Sequence, residues 1–152
     1  VTPPNWLPLA MKNAFKKKPA VGVDCGVVKV SSDGSTVVWA TWLGGSDKDT
    51  QSASIRVDGR KRVTILRTTR SKHMPTTGGT LSQQLQGGAD GYVAMLSEDG
   101  SELVYGTYVG GTGDDWGVST HNLALDAEGN ARRNGLANHL SVRGDVGRAL
   151  RR

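Results

Sequence analysis

The residues best suited to chemistry in this chain sit behind two glycine turns. Gly110-Gly111-Thr112-Gly113-Asp114-Asp115 puts two carboxylates after a run of glycines, and Gly44-Gly45-Ser46-Asp47-Lys48-Asp49 does the same upstream. Glycine turns that aim carboxylates and carbonyls at one point are how calcium-binding nonapeptides hold a hard cation. That makes Asp47, Asp49, Asp114 and Asp115 the calcium candidates. The pattern departs from a nonapeptide at Gly117, where a large apolar residue is expected, and no nine-residue tandem follows. The simpler reading needs no cofactor: tight turns whose Asp side chains cap backbone N–H groups.

Other chemistry is thinner. His73, His121 and His139 share no metal-ligand spacing with one another or with Cys25, so each reads as a loop or edge residue. Ser and Asp are plentiful, but no nucleophile-elbow glycines organise them, and no Gly-Lys-Ser/Thr follows a glycine turn to make a phosphate loop. The chain reads as a non-enzyme. Lys16, Lys17 and Lys18, and Arg60, Lys61 and Arg62 with Arg67 and Arg70, could neutralise the phosphates or sulfates of a polyanion or acidic polysaccharide. No aromatic platform is interleaved with them, and charge runs at strand ends are usually solvated. Arg143-Gly144-Asp145 spells a cell-adhesion tripeptide within an Arg-rich tail. Trp39, Trp42, Tyr105 and Tyr108 could stack on sugar rings or bases, but their place in the chain points to packing. Trp116, after the acidic turn, is the aromatic expected at the surface.

The elements that must position these residues come from a repeat. Asp24–Asp49 aligns without a gap on Asp90–Asp115, a period of 66 residues, with eleven of 26 pairs identical. Chance seldom produces that, and a fixed period marks a repeat architecture. Each copy reads as four short strands. In the first copy these are 26–31, 37–43, 54–58 and 63–68, separated by Ser32-Asp33-Gly34-Ser35, Gly44-Gly45 and a turn near Gly59. The second copy repeats 91–97, 103–109 and 122–126, with Glu128-Gly129-Asn130 as its third turn.

The second strand decides the fold class. Val37, Trp39, Thr41 and Leu43 face one way and Val38, Ala40 and Trp42 the other. Both faces are largely apolar, so the strand is expected to be covered on both. Four-stranded antiparallel sheets covered by like sheets describe propeller blades; other all-β stacks remain as alternatives, though a sandwich would show a polar outward face. The predicted fold is all-β, with about two four-stranded propeller-type blades in an incomplete propeller. Residues 1–23 read as the tail of a preceding repeat, because Leu7-Pro8 and Asn13-Ala14-Phe15 resemble Met74-Pro75 and Gly79-Thr80-Leu81. Residues 24–89 read as a complete blade whose linker, 69–89, lies over a blade edge. Residues 90–141 read as the second repeat, and 142–152 as a worn or disordered tail.

At 152 residues the chain can bury one modest core. No stretch reaches the ~20 apolar residues of a membrane helix. No signal peptide is visible, since Lys16–Lys18 follow no apolar segment; a start at Val fits a processed or trimmed product. One cysteine rules out an intrachain disulfide framework. The net charge of +5 is divided unevenly: from His73 to Ala131 there are eight acids and no Lys or Arg, while the flanks are basic. Such a dipolar chain could stack head to tail.

With these motifs in view, the chain resembles the SBBP repeat family, named for a seven-bladed β-propeller. The likeness rests on Asp90–Leu96, Asp99-Gly100-Ser101, Leu103–Gly111, Gly113-Asp114-Asp115, Asp126, Gly129-Asn130, Gly135 and Pro75-Thr76-Thr77, and it covers about residues 7–141. The chain departs from the pattern at 47–49, 60–62 and 132–134. The resemblance implies a bacterial repeat protein, secreted or on the cell surface, used for adhesion or binding and tied to no single activity.

Two blades cannot close a ring of four to eight. The chain is therefore expected to associate with copies of itself or with the remaining blades of a longer chain, because soluble monomers avoid open apolar blade faces. The function expected is a non-enzymatic binding and assembly module. The alternatives are a polyanion-binding accessory protein and a piece of a glycan-active propeller enzyme.

Overall fold

The computed structural model describes residues 7–20, 24–47, 49, 53–115 and 123–133. It is an all-β structure apart from one helical turn, α1 (Leu7–Ala10). The strands are β1 (Cys25–Val30), β2 (Val37–Leu43), β3 (Ala53–Val57), β4 (Val63–Thr69), β5 (Asp90–Leu96), β6 (Leu103–Val109), β7 (Leu123–Leu125) and β8 (Ala131–Arg133).

The turns explain the strand ends. In the first hairpin the Gly34 N–H donates to Ser31 O (2.9 Å) while Asp33 Oδ1 accepts from Ser35 N–H (3.1 Å). In the second, Gly100 donates to Ser97 O (3.0 Å) and Asp99 Oδ1 accepts from Ser101 N–H (3.1 Å). Both glycines are left-handed, at φ 74° and 69°, where a side chain is costly. Even the irregularity repeats: the pairing shifts register between Lys29 and Val30 and again between Met95 and Leu96, positions one period apart.

The grouping of strands differs from the sequence expectation. The complete blade predicted for residues 24–89 is divided between two sheets. β1 and β2 form one sheet, β3-β4-β5-β6 a four-stranded sheet, and β7 and β8 a third. All pairs are antiparallel. The four-stranded unit thus joins the back half of the first copy to the front half of the second. It is offset from the sequence repeat by half a period. A repeat alone cannot reveal this, because any cyclic shift of the unit has the same period. Arg132, in a segment that departs from the family pattern, nevertheless lies in β8.

The sheets stack face to face. Val27, Trp39 and Leu43 of the first sheet interlock with Val63, Ile65, Tyr92, Ala94, Leu96 and Tyr108 of the second. On the second sheet's other face, Leu66 and Val93 pack against Leu123 and Ala131 of the third, with Tyr105 and Val109 at the margin. β4 and β5 are buried along their whole length, as befits central strands covered on both sides. β2 is also covered on both faces, though unevenly. Its outer face meets Ala10, Met11 and Ala14 instead of a sheet, and Val38 stays 51% exposed.

The outer edges of β2 and β6 are closed by the chain that precedes each hairpin. Trp42 N–H donates to Lys16 O (3.0 Å), and Tyr108 N–H to Ser82 O (2.9 Å). Thr77 adds a second pair of bonds to Gly106. The linker therefore does run along a sheet edge, where it blocks further strand pairing.

Candidate functional site

The contact between successive sheets is built by one aromatic from each side. Trp39 of β2 points forward and Tyr108 of β6 points back, into the same interlayer core. The Trp39 indole lies beneath the β5–β6 turn. Its Nε1–H donates to Glu98 O (2.9 Å), and a Cβ on Gly100 would come within 2.6 Å of its ring. Only glycine lets that turn close on the indole. Phe15 completes the cap, its N–H donating to Gly100 O (3.0 Å). Tyr108 accepts from Met74 N–H (2.8 Å), donates to Ser71 O (2.7 Å) and meets Tyr92 edge-on, ring centroids 5.8 Å apart. Both tyrosines are buried, which pushes their phenols above the ordinary range.

One period on, the same arrangement is half made. Tyr105 takes the place of Trp39 and Leu81 that of Phe15, but both line an open groove of about 240 Å³ with Met95, Val104, Thr107 and Asn130. Among the described residues the β7–β8 turn, Glu128-Gly129-Asn130, borders this groove, and no Asp-Gly-Ser turn lies over Tyr105. The counterpart of the missing piece is the β1–β2 turn, where a Cβ on Gly34 would meet nothing within 4 Å. The edges are likewise unfinished: among the described residues β1 pairs only with β2, and β8 only with β7.

The charged residues divide in the same way. Buried Arg67 donates from Nη1 to Leu43 O (3.0 Å) and stands 3.9 Å from Asp49 Oδ2. Lys16 Nζ donates to Gly44 O (2.9 Å) and lies 3.6 Å from Asp24. In the second copy the position of Lys16 is Ser82, so among the described residues Asp90, fully buried, has no such cation beside it. Desolvation, with Asp115 and Asp114 adding like charge, raises its pKa despite two backbone N–H donors.

The four calcium candidates do not converge. Asp49 is buried and accepts from Ser71 Oγ (3.0 Å), Gly45 N–H (3.4 Å) and Thr69 Oγ1. Asp115 accepts from Gly111 N–H at 2.6 Å. Both cap their own Gly-Gly turn. Asp47 and Asp114 are exposed, and among the described residues no three Asp, Glu, His or Cys side chains gather at one point. Of the basic candidates, Lys16, Lys61 and Arg62 are committed to Asp24, Glu98 (3.2 Å) and Asp58 (2.7 Å), while Lys17, Lys18 and Arg60 are exposed. Trp42 is half-buried against Met11 and Ala40. His73 bonds Ser46 at the surface (2.9 Å), and Cys25 is a half-buried free thiol raised by desolvation. Trp116, His121, His139, Arg143–Asp145 and the 142–152 tail lie outside the described residues.

No family model, curated protein or solved structure matches this chain. Its reading therefore rests on its own repeat. No helix among the described residues is long and apolar enough to cross a membrane. Inspection of single motifs missed the Gly100–Trp39 cap, the open groove at Tyr105 and the Arg67 ion pair. The first had a sequence signal, since Asp99-Gly100-Ser101 opens the copy that follows Trp39; the second had none, because Asp33-Gly34-Ser35 precedes both Trp39 and Tyr105. Arg67 had none, because nothing in a β-branched strand marks which arginine turns inward.

Proposed function

We propose that this protein is a non-enzymatic repeat module for assembly and binding, whose sheets continue from one unit to the next. The observation that carries this reading is the pair of half-sheets flanking a complete four-stranded sheet, each with an edge that pairs with no strand among the described residues. An open edge is a template for strand addition. We infer that the stack is propeller-like, as the resemblance to SBBP repeats implies, and that it works outside the cell or at its surface.

Hydrogen exchange tests the assembly reading. Amides of β1 and β8 gain protection as protein concentration rises, while β4 and β5 are protected throughout. Exchange at β1 and β8 that is fast at every concentration contradicts the proposal.

A further inference from the structure

We infer that a second copy of this chain docks head to tail, its β1–β2 hairpin pairing with β8 and its Gly34 turn closing over Tyr105. This deepens the assembly reading and rests on it.

The chain supplies its own template. Within the four-stranded sheet, hairpin β5–β6 pairs with β4 through Val63↔Leu96, Thr64↔Met95 and Ile65↔Ala94. Hairpin β1–β2 is the first-copy equivalent of β5–β6, and β7–β8 matches β3–β4. The match of β8 to β4 is set by their turns: Asp58 caps Arg62 N–H (2.9 Å) as Asp126 caps Asn130 N–H (2.7 Å). Transferring the register puts Ala131 opposite Val30 of the second copy and Arg132 opposite Lys29. That one like-charge pair is offset by Asp126, 3.7 Å from Arg132. The outcome is a sheet β7-β8-β1-β2 with the order already present in the middle of the molecule.

The docked hairpin also fills the groove. Its Asp33-Gly34 turn has the left-handed glycine and capping Asp of the turn that covers Trp39. Placed the same way, it lies against Tyr105 and beside Leu81, as Gly100 lies against Trp39 and beside Phe15. The exposed Val28 (45%), Val30 (51%) and Val104 (43%) would be covered or brought to the margin of the contact. Charge favours part of the match. Residues 1–72 carry thirteen basic and five acidic side chains, whereas 73–131 carry eight acids and no Lys or Arg. The basic first half thus meets acidic sequence on the groove side, while the six arginines from 132 to 152 oppose the match. Such a contact is heterologous, so repetition gives a ring if the rotation closes and a filament if it does not.

Cysteine cross-linking between copies tests the docking mode. In a Cys25→Ser background, one protein carries Ser35→Cys, on the docking turn, and another Leu81→Cys, on the groove. Under mild oxidation the mixture is expected to give the 35–81 cross-linked dimer well above the homodimers of either protein alone. Tyr105→Lys on the Leu81→Cys partner removes the ring the turn closes on and is expected to raise the concentration at half-association at least ~10-fold, the loss of one anchoring aromatic. Sedimentation reads that midpoint. If the chain associates but forms no 35–81 bond and ignores Tyr105→Lys, the docking mode is wrong and assembly stands. If it stays monomeric at all concentrations, both fail. A Ser35→Cys/Leu81→Cys double variant that cross-links within one monomer also overturns the inference, because its turn would reach its own groove.

Discussion

The two hairpins of this molecule were built to one pattern, and they differ in what sits next to them. At β1–β2 the forward aromatic, Trp39, is buried under a glycine turn that accepts its indole N–H. At β5–β6 the forward aromatic, Tyr105, is half-buried at a groove. The first copy holds buried carboxylates against Lys16 and Arg67; in the second, Ser82 replaces Lys16. The repeat specifies its own strands and turns, while Trp39 is buried by the turn of the copy that follows it.

The largest effect is expected at Trp39. Trp39→Ala removes a buried aromatic and its hydrogen bond and should cost ~3–5 kcal/mol in denaturant unfolding, whereas Tyr105→Ala in dilute protein should cost under about half of that. Equal costs would mean that Tyr105 is already capped. Next is Arg67, whose loss leaves Asp49 a buried charge. Arg67→Met should destabilise by ~3 kcal/mol or more, and adding Asp49→Asn should return part of it. No recovery in the double variant would show that Arg67 acts through contacts other than Asp49.

The glycine turns give a smaller, paired test. Gly34→Ala should cost only the ~1–2 kcal/mol of a left-handed alanine. Gly100→Ala carries the same penalty and a clash with Trp39 besides, so it should cost measurably more. Lys61 is the reverse case. It holds φ 60° where the matching turn has Gly129 at 85°, so Lys61→Gly should stabilise by up to ~1 kcal/mol, less its exposed ion pair with Glu98.

The smallest effect is in pH dependence. Ser31 and Ser97 hydroxyls, with the Ser35 and Ser101 N–H groups, hold Asp33 and Asp99 down to about 2. Their folded pKa values lie below the ordinary aspartate value of 3.8. They therefore favour the folded state above that value, and the contribution fades as pH falls through about 2. Asp90 has the opposite sign: its raised pKa weighs against folding at neutral pH, and the penalty is relieved as acid protonates it. A carboxylate NMR titration should find Asp33 and Asp99 nearly alike and Asp90 well above both. Asp90 titrating alongside Asp33 and Asp99 would remove this part of the contrast.

Much of the fold was legible in the sequence because strands and turns are local. Val37–Leu43 and Leu103–Val109 fall where alternation and the flanking Asp-Gly and Gly-Gly turns put them. The grouping of strands into sheets was not legible, since hydrogen bonding between β4 and β5 spans a linker that the period treats as a boundary. Trp39 and Tyr108 are buried in the interlayer core, whereas Trp42 and Tyr105 are half-buried. Their unequal burial depends on neighbours one repeat away, which composition does not encode. Lys16 and Arg62 looked like a polyanion surface as a run of letters, and turned out to face Asp24 and Asp58.

The most direct test is absolute mass by light scattering over a concentration series. The expected result is a discrete assembly of two or more copies that dissociates on dilution, with Tyr105→Lys shifting the transition upward. A monomer at every concentration, with Tyr105→Lys indistinguishable from the parent, would contradict it.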